Sequence, residues 1–515
     1  MRKLVFGKRT LRSIATDTYG NDQIVFREYV QNSCDAIYDA IKAGILANGE
    51  DKVTIDIDKS ARKITIEDNG NGVSVLDFES KILDIGNSDK KSGTHRGFFG
   101  QGRLCGLAYC NTLIFTSTRK GEPKLSKATF DAEKLNDMLN DDEKYTAEIV
   151  LNSVVKFDEI EDKDIVDEHF FRVELLNVTS EVLLDVHGIR DYLSFVAPVT
   201  YDSQFTFQTE IYKHATELNF KITEYRIEVN GEQLVKNYKT NIRTKSGDDK
   251  IFGVEFRDLY DADDNLIAWL WFGLSEFKGV LSEKHEEPSH KMRGLRLRVG
   301  NLQLGGWNAL VALFKEQRGT KFFIGEVHAV DTNLKPDAQR DYFAANTARK
   351  MFEKLLGECF IELDDIYHDA SDIRSAQKAI NAPAKAKAEF DKRSTPYKKA
   401  HQAEHEAAIL MLTKAADKAE VKLADMRQKA ETTPDSAQSK IVRRILENHP
   451  TVQPVDTPTD TGDNSIIPPP RSGFPPSNWS RKQRDVYWAI EAVIIDNPKL
   501  AGNALLDKIK EELAK

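Results

Sequence analysis

Cysteine is scarce in this chain of 515 residues: there are four, Cys34, Cys105, Cys110 and Cys359. None is spaced as a paired metal ligand, and four are too few for a disulfide framework. That excludes a zinc ribbon or a cysteine-stapled secreted scaffold and predicts reduced thiols in a cytosol. A run of ~18 apolar residues is also missing, and the opening MRKLVFGKRTLRS lacks the apolar core of a signal peptide. The expectation is a soluble, cytoplasmic protein that crosses no membrane. An excess of positive charge is absent too: 73 Lys and Arg stand against 82 Asp and Glu, a net charge of -9. A surface built throughout to hold nucleic acid is thereby disfavoured, while a local basic face stays open. What is present is ordinary globular composition, 40% apolar and 30% charged, in a chain long enough for about three domains.

Residues 1–190 alternate helical and strand patterns. A helix is expected from Ile24 to Ala47, strands at Val53 to Asp58 and Lys63 to Glu67, then a glycine-rich stretch reaching Gly106. Within 191–345 short β-like runs dominate, among them Tyr225 to Val229, Ile267 to Gly273 and Leu295 to Val299, which reads as a second α/β domain. Region 346–431 is expected to be helical, with Pro383 and Pro396 as interruptions. There Ile409, Leu412, Ala416, Ala419, Leu423, Met426 and Ala430 alternate spacings of three and four, the seam of a short coiled coil or of a helical hairpin packing in cis. Residues 432–478 hold more than half of the 16 prolines and are expected to be an extended linker. Residues 479–515 offer two amphipathic helices split near Pro498, a small docking or dimerisation module. The expected class is α+β.

Three constellations carry chemistry. In REYVQNSCDA, Glu28, Asn32 and Asp35 share one helix face. A carboxylate there can polarise a water, and an amide oxygen one turn on can ligate magnesium; a solvated helix face explains the pattern as well. The strand ITIED ends in Asp68, Asn69, Gly70 and Gly72, either a hairpin turn or a carboxylate that reads an exocyclic amine while glycines let a base approach. Between Ile85 and Leu107 fall Gly86, Gly93, Gly97, Gly100, Gly102 and Gly106, an entropic cost that suits a mobile lid. A helix starting near Gly102 would aim its positive end at phosphates, with Lys91 as a neighbouring cation.

In this order the three resemble the motifs of the GHKL, or Bergerat-fold, ATPases: gyrase B, the ninety-kilodalton heat-shock chaperones, histidine kinases and MutL. Glu28 to Ala36 resembles E-x-x-x-N-x-x-D-A, Asp68 to Gly72 resembles D-x-G-x-G, and Gly97 to Gly102 resembles G-x-x-G-x-G. Lys91-Ser92-Gly93-Thr94 is closer to the chaperone branch. The resemblance implies ATP and Mg2+ as cofactors, Glu28 as general base, Asn32 as the metal ligand and Asp68 as the adenine reader. Asp35, Gly70, Gly72, Lys91, Gly97, Gly100, Gln101 and Gly102 would complete the nucleotide site. It also implies a mixed sheet covered by helices on one face, followed by a transducer-like second domain. One departure stands out: the family's late-strand threonine has no counterpart in His169 to Leu175, and Thr179 lies beyond it.

By the same resemblance a basic residue of the second domain reaches the γ-phosphate. Arg340, in Pro336-Asp337-Ala338-Gln339-Arg340-Asp341, is the first candidate, with a surface ion pair as the other reading; Lys284 and Lys291 follow. Lys291, Arg293, Arg296 and Arg298 form a basic stretch that reads either as a nucleic-acid grip or as a solvated sheet face. The expected protein is thus a heat-shock chaperone-like ATPase, a homodimer through its amino-terminal domains, acting on a protein client by lid closure and clamping. The alternative is a nucleic-acid clamp similar to MORC or MutL proteins, for example in defence against phage. A histidine kinase fits poorly, since its phospho-accepting hairpin would precede the ATPase domain.

Overall fold

The computed structural model describes residues 7–8, 21–84, 102–281, 289–448 and 486. Expectations for residues 85–101 of the glycine-rich stretch, for Lys284 and for the 479–515 module, residue 486 apart, lie outside these residues. Met1–Asp364 and Asp365–Lys515 form two compact units.

The first unit opens with α1 (Ile24–Lys42), β1 (Val53–Asp58) and β2 (Lys63–Asp68), then α2 (Val75–Leu83). Helix α1 stops short of the expected Ala47 because Gly44 takes φ +71°, the left-handed conformation that suits glycine. The Gly44 and Ile45 amides then donate to Ile41 and Ala40 carbonyls, a Schellman closure. After a 3-10 turn at Gly102–Ala108 come β3 (Cys110–Thr118), β4 (Lys124–Asp131), α3 (Ala132–Asn140), α4 (Ala147–Val154), β5 (Val155–Glu161) and β6 (Phe170–Val178). Ser74, Asp131 and Thr146 cap α2, α3 and α4 through their side-chain oxygens, each worth about 1 kcal/mol.

Helices α5 (Val186–Val196) and α6 (Gln208–Glu217) lead to β7 (Ile227–Val229) and β8 (Glu232–Gln233), which return to the first sheet. Its order is β5-β4-β3-β6-β2-β1-β7-β8, antiparallel throughout except for the parallel β1/β7 pair. Along β1, Val53, Ile55 and Ile57 are buried while Asp56 and Asp58 are exposed, the period-two pattern of a sheet with one covered face. On β2 the same covered row is Ile64, Ile66 and Asp68, so the carboxylate points where apolar side chains point. The mixed α+β class expected from sequence is the class found.

The rest of the first unit holds the hairpin β9 (Asn241–Thr244) and β10 (Gly247–Lys250), then β11 (Gly253–Tyr260), β12 (Leu266–Leu274), β13 (Gly294–Val299), β14 (Leu302–Gln303) and β15 (Ile324–Ala329). The last five form a sheet in the order β11-β12-β15-β13-β14, with β13 and β15 parallel. Here the reading of Arg296 and Arg298 within the basic stretch is corrected. Arg298 is 0% exposed and Arg296 6%, so neither reading made of them, nucleic-acid grip or solvated face, holds. The parallel register sets Arg296 beside Glu326 and Arg298 beside His328. Arg298 Nε donates to Glu326 Oε1 at 2.6 Å, and Lys236 Nζ donates to Glu326 Oε2 at 3.1 Å. Tyr201 and Tyr238 hydroxyls donate to the same carboxylate. One buried acid thus gathers two buried cations, the saturated geometry that lets charge survive in a core.

Helix α7 (Thr347–Asp391) begins in the first unit. In the second, α8 (Thr395–Thr432) and α9 (Ala437–Asn448) follow. Pro383 does not interrupt: it lies inside α7, where the buried Ala370, Ile373, Ala376 and Ile380 offset the loss of one backbone bond. Pro396 sits in the first turn of α8, where its missing N–H has no intrahelical partner to lose. The stripe Ile409, Ala416, Ala419, Leu423, Met426 and Ala430 is buried, and α8 packs against α9. That helix stands where an extended linker was expected. Its apolar residues Ala437, Ile441, Val442 and Ile445 recur at helical spacing and are buried, and Ser436 Oγ accepts from the Ser439 amide at 3.1 Å as a cap.

Candidate functional site

Helix α1, the turn after β2 and the 3-10 turn converge on a cavity of about 170 Å³, lined by Asn32, Asp68, Gly72, Gly102, Arg103 and Arg340 among others. Members of all three sequence constellations therefore meet, together with a residue more than two hundred positions downstream. Lys91, Gly97, Gly100 and Gln101 lie outside the described residues.

The turn after β2 depends on its glycines. Asp68 Oδ1 accepts from the Gly70 amide at 3.0 Å, and a Cβ on Gly70 would come within 2.6 Å of Ala36 Cβ. Gly72 has φ +61°, and a Cβ there would stand 1.9 Å from the Thr118 carbonyl oxygen. No side chain fits at either position, so the turn lies flush on α1 and β3. Ser117 ties it down: its hydroxyl accepts from the Val73 amide at 2.9 Å and donates to the Phe170 carbonyl at 2.8 Å. Phe171 and Val173 of β6 face the same cavity beside Phe115. Strand β6 carries no hydroxyl residue, so the departure noted in the sequence is filled by apolar walls.

Glu28 is 1% exposed. A Cβ on Gly102 would meet Glu28 Oε2 at 2.2 Å, so the glycine that opens the 3-10 turn lets the chain pass directly over the carboxylate. Glu28 Oε2 pairs with Arg340 Nη2 at 3.1 Å, and Glu28 Oε1 lies 3.8 Å from Arg27 Nη2. The Arg340 Nη1 has no hydrogen-bond partner among the described residues and belongs to a side chain that lines the cavity. Arg340 is not the surface ion pair weighed from the sequence: it is 7% exposed and closes the site from the far end of the second sheet. Arg27 Nη2 and Nη1 donate to the Gln339 and Arg340 carbonyls at 3.2 and 3.4 Å, which fixes the backbone that carries it.

Asn32 is half-buried and lines the cavity, while Asp35 is buried and Gly70 lies beneath the turn; neither of the latter two lines it. The cations Lys81 and Arg103 line it without having been singled out from sequence. Their signal was their place, at the end of α2 and inside the glycine-rich stretch, between Gly102 and Gly106. Burial pulls the Arg103 guanidinium below its usual value, partly offset by Asp84. Burial, and then the Glu28 charge, hold the Cys105 thiol well above its usual value, so it is inert beside the site. Lys291 pairs with Asp191 and lines a different cavity.

Residues 22–165 match a family model described as the histidine kinase-, DNA gyrase B-, and HSP90-like ATPases. Chaperone protein HtpG of Bordetella parapertussis is 38% identical over 100 residues, 18% of this chain and 15% of its own length. Chaperone protein HtpG of Coxiella burnetii is 41% identical over 93 residues, 17% of this chain and 14% of its own. The similarity thus spans about one seventh of the curated relatives. The family match covers Glu28, Asn32, Asp68 and Gly102 and stops short of Arg340.

Proposed function

We propose, from the match of residues 22–165 to the model of the histidine kinase-, DNA gyrase B- and HSP90-like ATPases, that this chain binds and hydrolyses ATP as a chaperone-like ATPase whose site is completed by Arg340. The observation that carries the composite site is the buried pair of Arg340 and Glu28 at 3.1 Å, with the Arg340 Nη1 lacking a hydrogen-bond partner among the described residues on a side chain that lines the Asp68 cavity. Asp68 reads the adenine amine in the cleft over Phe171 and Val173. Glu28, freed of Arg340, accepts the proton of the attacking water. The arginine fork moves to the phosphoryl oxygens as their charge develops.

Asn32 would hold Mg2+. Its half-buried amide suits an ion that takes one or two protein oxygens and completes its shell with phosphates and water. Bound there, the ion would neutralise phosphate charge. Lid closure over the nucleotide, association of two copies through their amino-terminal domains and work on a protein client complete the reading. The burial of Arg296 and Arg298 removes two of the four basic residues offered for a nucleic-acid clamp, which makes a protein client the favoured reading.

Single-turnover hydrolysis tests the assignment. Glu28→Ala is expected to bind ATP without cleaving it and Asp68→Asn to lose binding; normal hydrolysis by both overturns the site. Turnover unchanged by duplex DNA and altered by an unfolded protein is the expected partner profile.

A further inference from the structure

Arg27 also lines a second cavity, of about 640 Å³, walled by the start of α1, by α5 and by the segment between Lys291 and Trp307. That volume lies within the ~300–1,000 Å³ of small-molecule sites. Among the described residues four cations line it, Arg27, Lys291, Arg293 and Arg296, against two carboxylates, Asp191 and Asp341, a surplus of two positive charges (four minus two). Lys291 is already paired with Asp191. Arg296 is not paired: among the described residues its Nη1 donates to the Gln303 side-chain oxygen at 2.7 Å and its Nη2 to the Lys291 carbonyl. Both acceptors are neutral, and Arg296 Nε has no partner. Arg27 repeats the pattern only in part: its amines donate to backbone carbonyls and its Nε has no hydrogen-bond partner among the described residues, while its Nη2 lies 3.8 Å from Glu28 Oε1.

A buried guanidinium such as that of Arg296, held in a cavity wall against neutral acceptors, is a costly arrangement unless an anion approaches it. Burial pulls Arg296 down to about 10, with Arg298 and Arg293 adding to the shift and Tyr238 and Glu326 opposing it. The Arg293 guanidinium lies 4.2 Å over the Trp307 ring, a flat platform for a second ring. The start of α1 adds its dipole field alone, because the Ile24, Val25 and Phe26 amides already donate to carbonyls of the preceding turn.

We propose that this cavity binds a phosphorylated small molecule carrying a ring: the phosphoryl group on Arg27 and Arg296, the ring against Arg293 and Trp307. Guanidinium forks match phosphoryl oxygens, and a phosphate monoester brings nearly two negative charges at neutral pH where a carboxylate brings one. Since Arg27 Nη2 also faces Glu28, a ligand here shares a guanidinium with the proposed base. That coupling rests on the ATPase reading, whereas the binding does not.

The test is isothermal titration of the full chain, without nucleotide, with phenyl phosphate and with inorganic phosphate. Wild type is expected to bind phenyl phosphate more tightly than inorganic phosphate, and Trp307→Leu to abolish that preference. Arg293→Gln and Arg296→Gln are expected to weaken phenyl phosphate by about tenfold or more, and Arg103→Gln, at the other cavity, to leave it unchanged. No binding at millimolar concentration overturns the site, as does binding undiminished in a folded Arg293→Gln or lost in Arg103→Gln. Arg293→Gln decides the matter if Arg296→Gln fails to fold. None of these readouts involves hydrolysis, so a failed ATPase assignment would be seen separately.

Discussion

Removing Arg340 should reveal how strongly the resting site holds its own carboxylate. Glu28 is almost wholly buried, with Arg340 Nη2 at 3.1 Å and Arg27 Nη2 at 3.8 Å as its cationic neighbours. At an effective dielectric of ~20 the shorter pair attracts by about 5 kcal/mol, before the cost of desolvating two ions. Arg340→Ala leaves Glu28 to the longer contact alone, a change of the kind that costs about 3–5 kcal/mol. Replacing both charges, in Glu28→Gln with Arg340→Met, removes the stranded ion and should cost far less than the sum of the single changes. Chemical unfolding of wild type, Glu28→Gln, Arg340→Met and the double variant without nucleotide gives the coupling directly, and a value above about 1 kcal/mol is expected. Additivity within about 0.5 kcal/mol, the behaviour of independent sites, would refute the claim that Arg340 and Glu28 form one buried unit.

Gly72→Ala should abolish nucleotide binding and cost well beyond the ~1 kcal/mol that a positive φ alone imposes, because its Cβ would stand 1.9 Å from a carbonyl oxygen. Gly49→Ala, at φ +90° with nothing within 4 Å, is the control, and equal losses in equilibrium unfolding would contradict the steric account. Ser117→Ala removes the tether between the glycine turn and Phe170; a loss of about 1–2 kcal/mol with weakened nucleotide binding is expected, and unchanged calorimetric titration would sink it. His328 is fully buried and stacked on Trp269 at 4.3 Å, and burial pulls it from 6.5 down to about 4. It stays neutral near neutral pH although Glu326 lies 3.3 Å away, because Arg298 and Lys236 already compensate that carboxylate. The unfolded chain binds the proton first as pH falls, so the stability is present above pH ~6.5 and lost toward pH ~4, about 2 kcal/mol of it by pH 5. His328→Phe keeps the stack without the proton, and it should lose that much less between pH 7 and pH 5; equal acid losses would refute the assignment.

The amino-terminal site was legible because its signals are local. The spacing of Glu28 and Asn32 is a helix period, and the Asp68 turn needs glycine for reasons contained within a few residues and their immediate neighbours. The burial of Arg296 and Arg298 was not legible. Alternation with Leu295 and Leu297 looks the same whether the arginine face meets water or a carboxylate, and the deciding Glu326 comes from a parallel neighbour in the sheet. Helix α9 was hidden by the prolines around it: composition averaged over 432–478 concealed a short amphipathic segment. Asp35 illustrates a limit of helical spacing, which places residues on a common face and does not say how far along that face a cavity extends.

Arg340 was legible as a candidate and not as a constrained residue. Its φ is +56°, a conformation that costs a branched-out L side chain about 1–2 kcal/mol and persists only where its surroundings over-determine it. They do so from two directions. The Gly305 amide, just past β14, donates to the Arg340 carbonyl at 3.0 Å, and Arg27 of α1 reaches the same oxygen and that of Gln339. Gly305 itself admits no side chain, since a Cβ there would meet the Asp341 carbonyl oxygen at 2.3 Å. The backbone at residue 340 is therefore pinned jointly by the second sheet and by the helix that carries Glu28. Any displacement of β14 against α1 must break one of these bonds and carry the guanidinium relative to the carboxylate. The strain held at one arginine thus makes the geometry of the site a function of how the two sheets are set against each other.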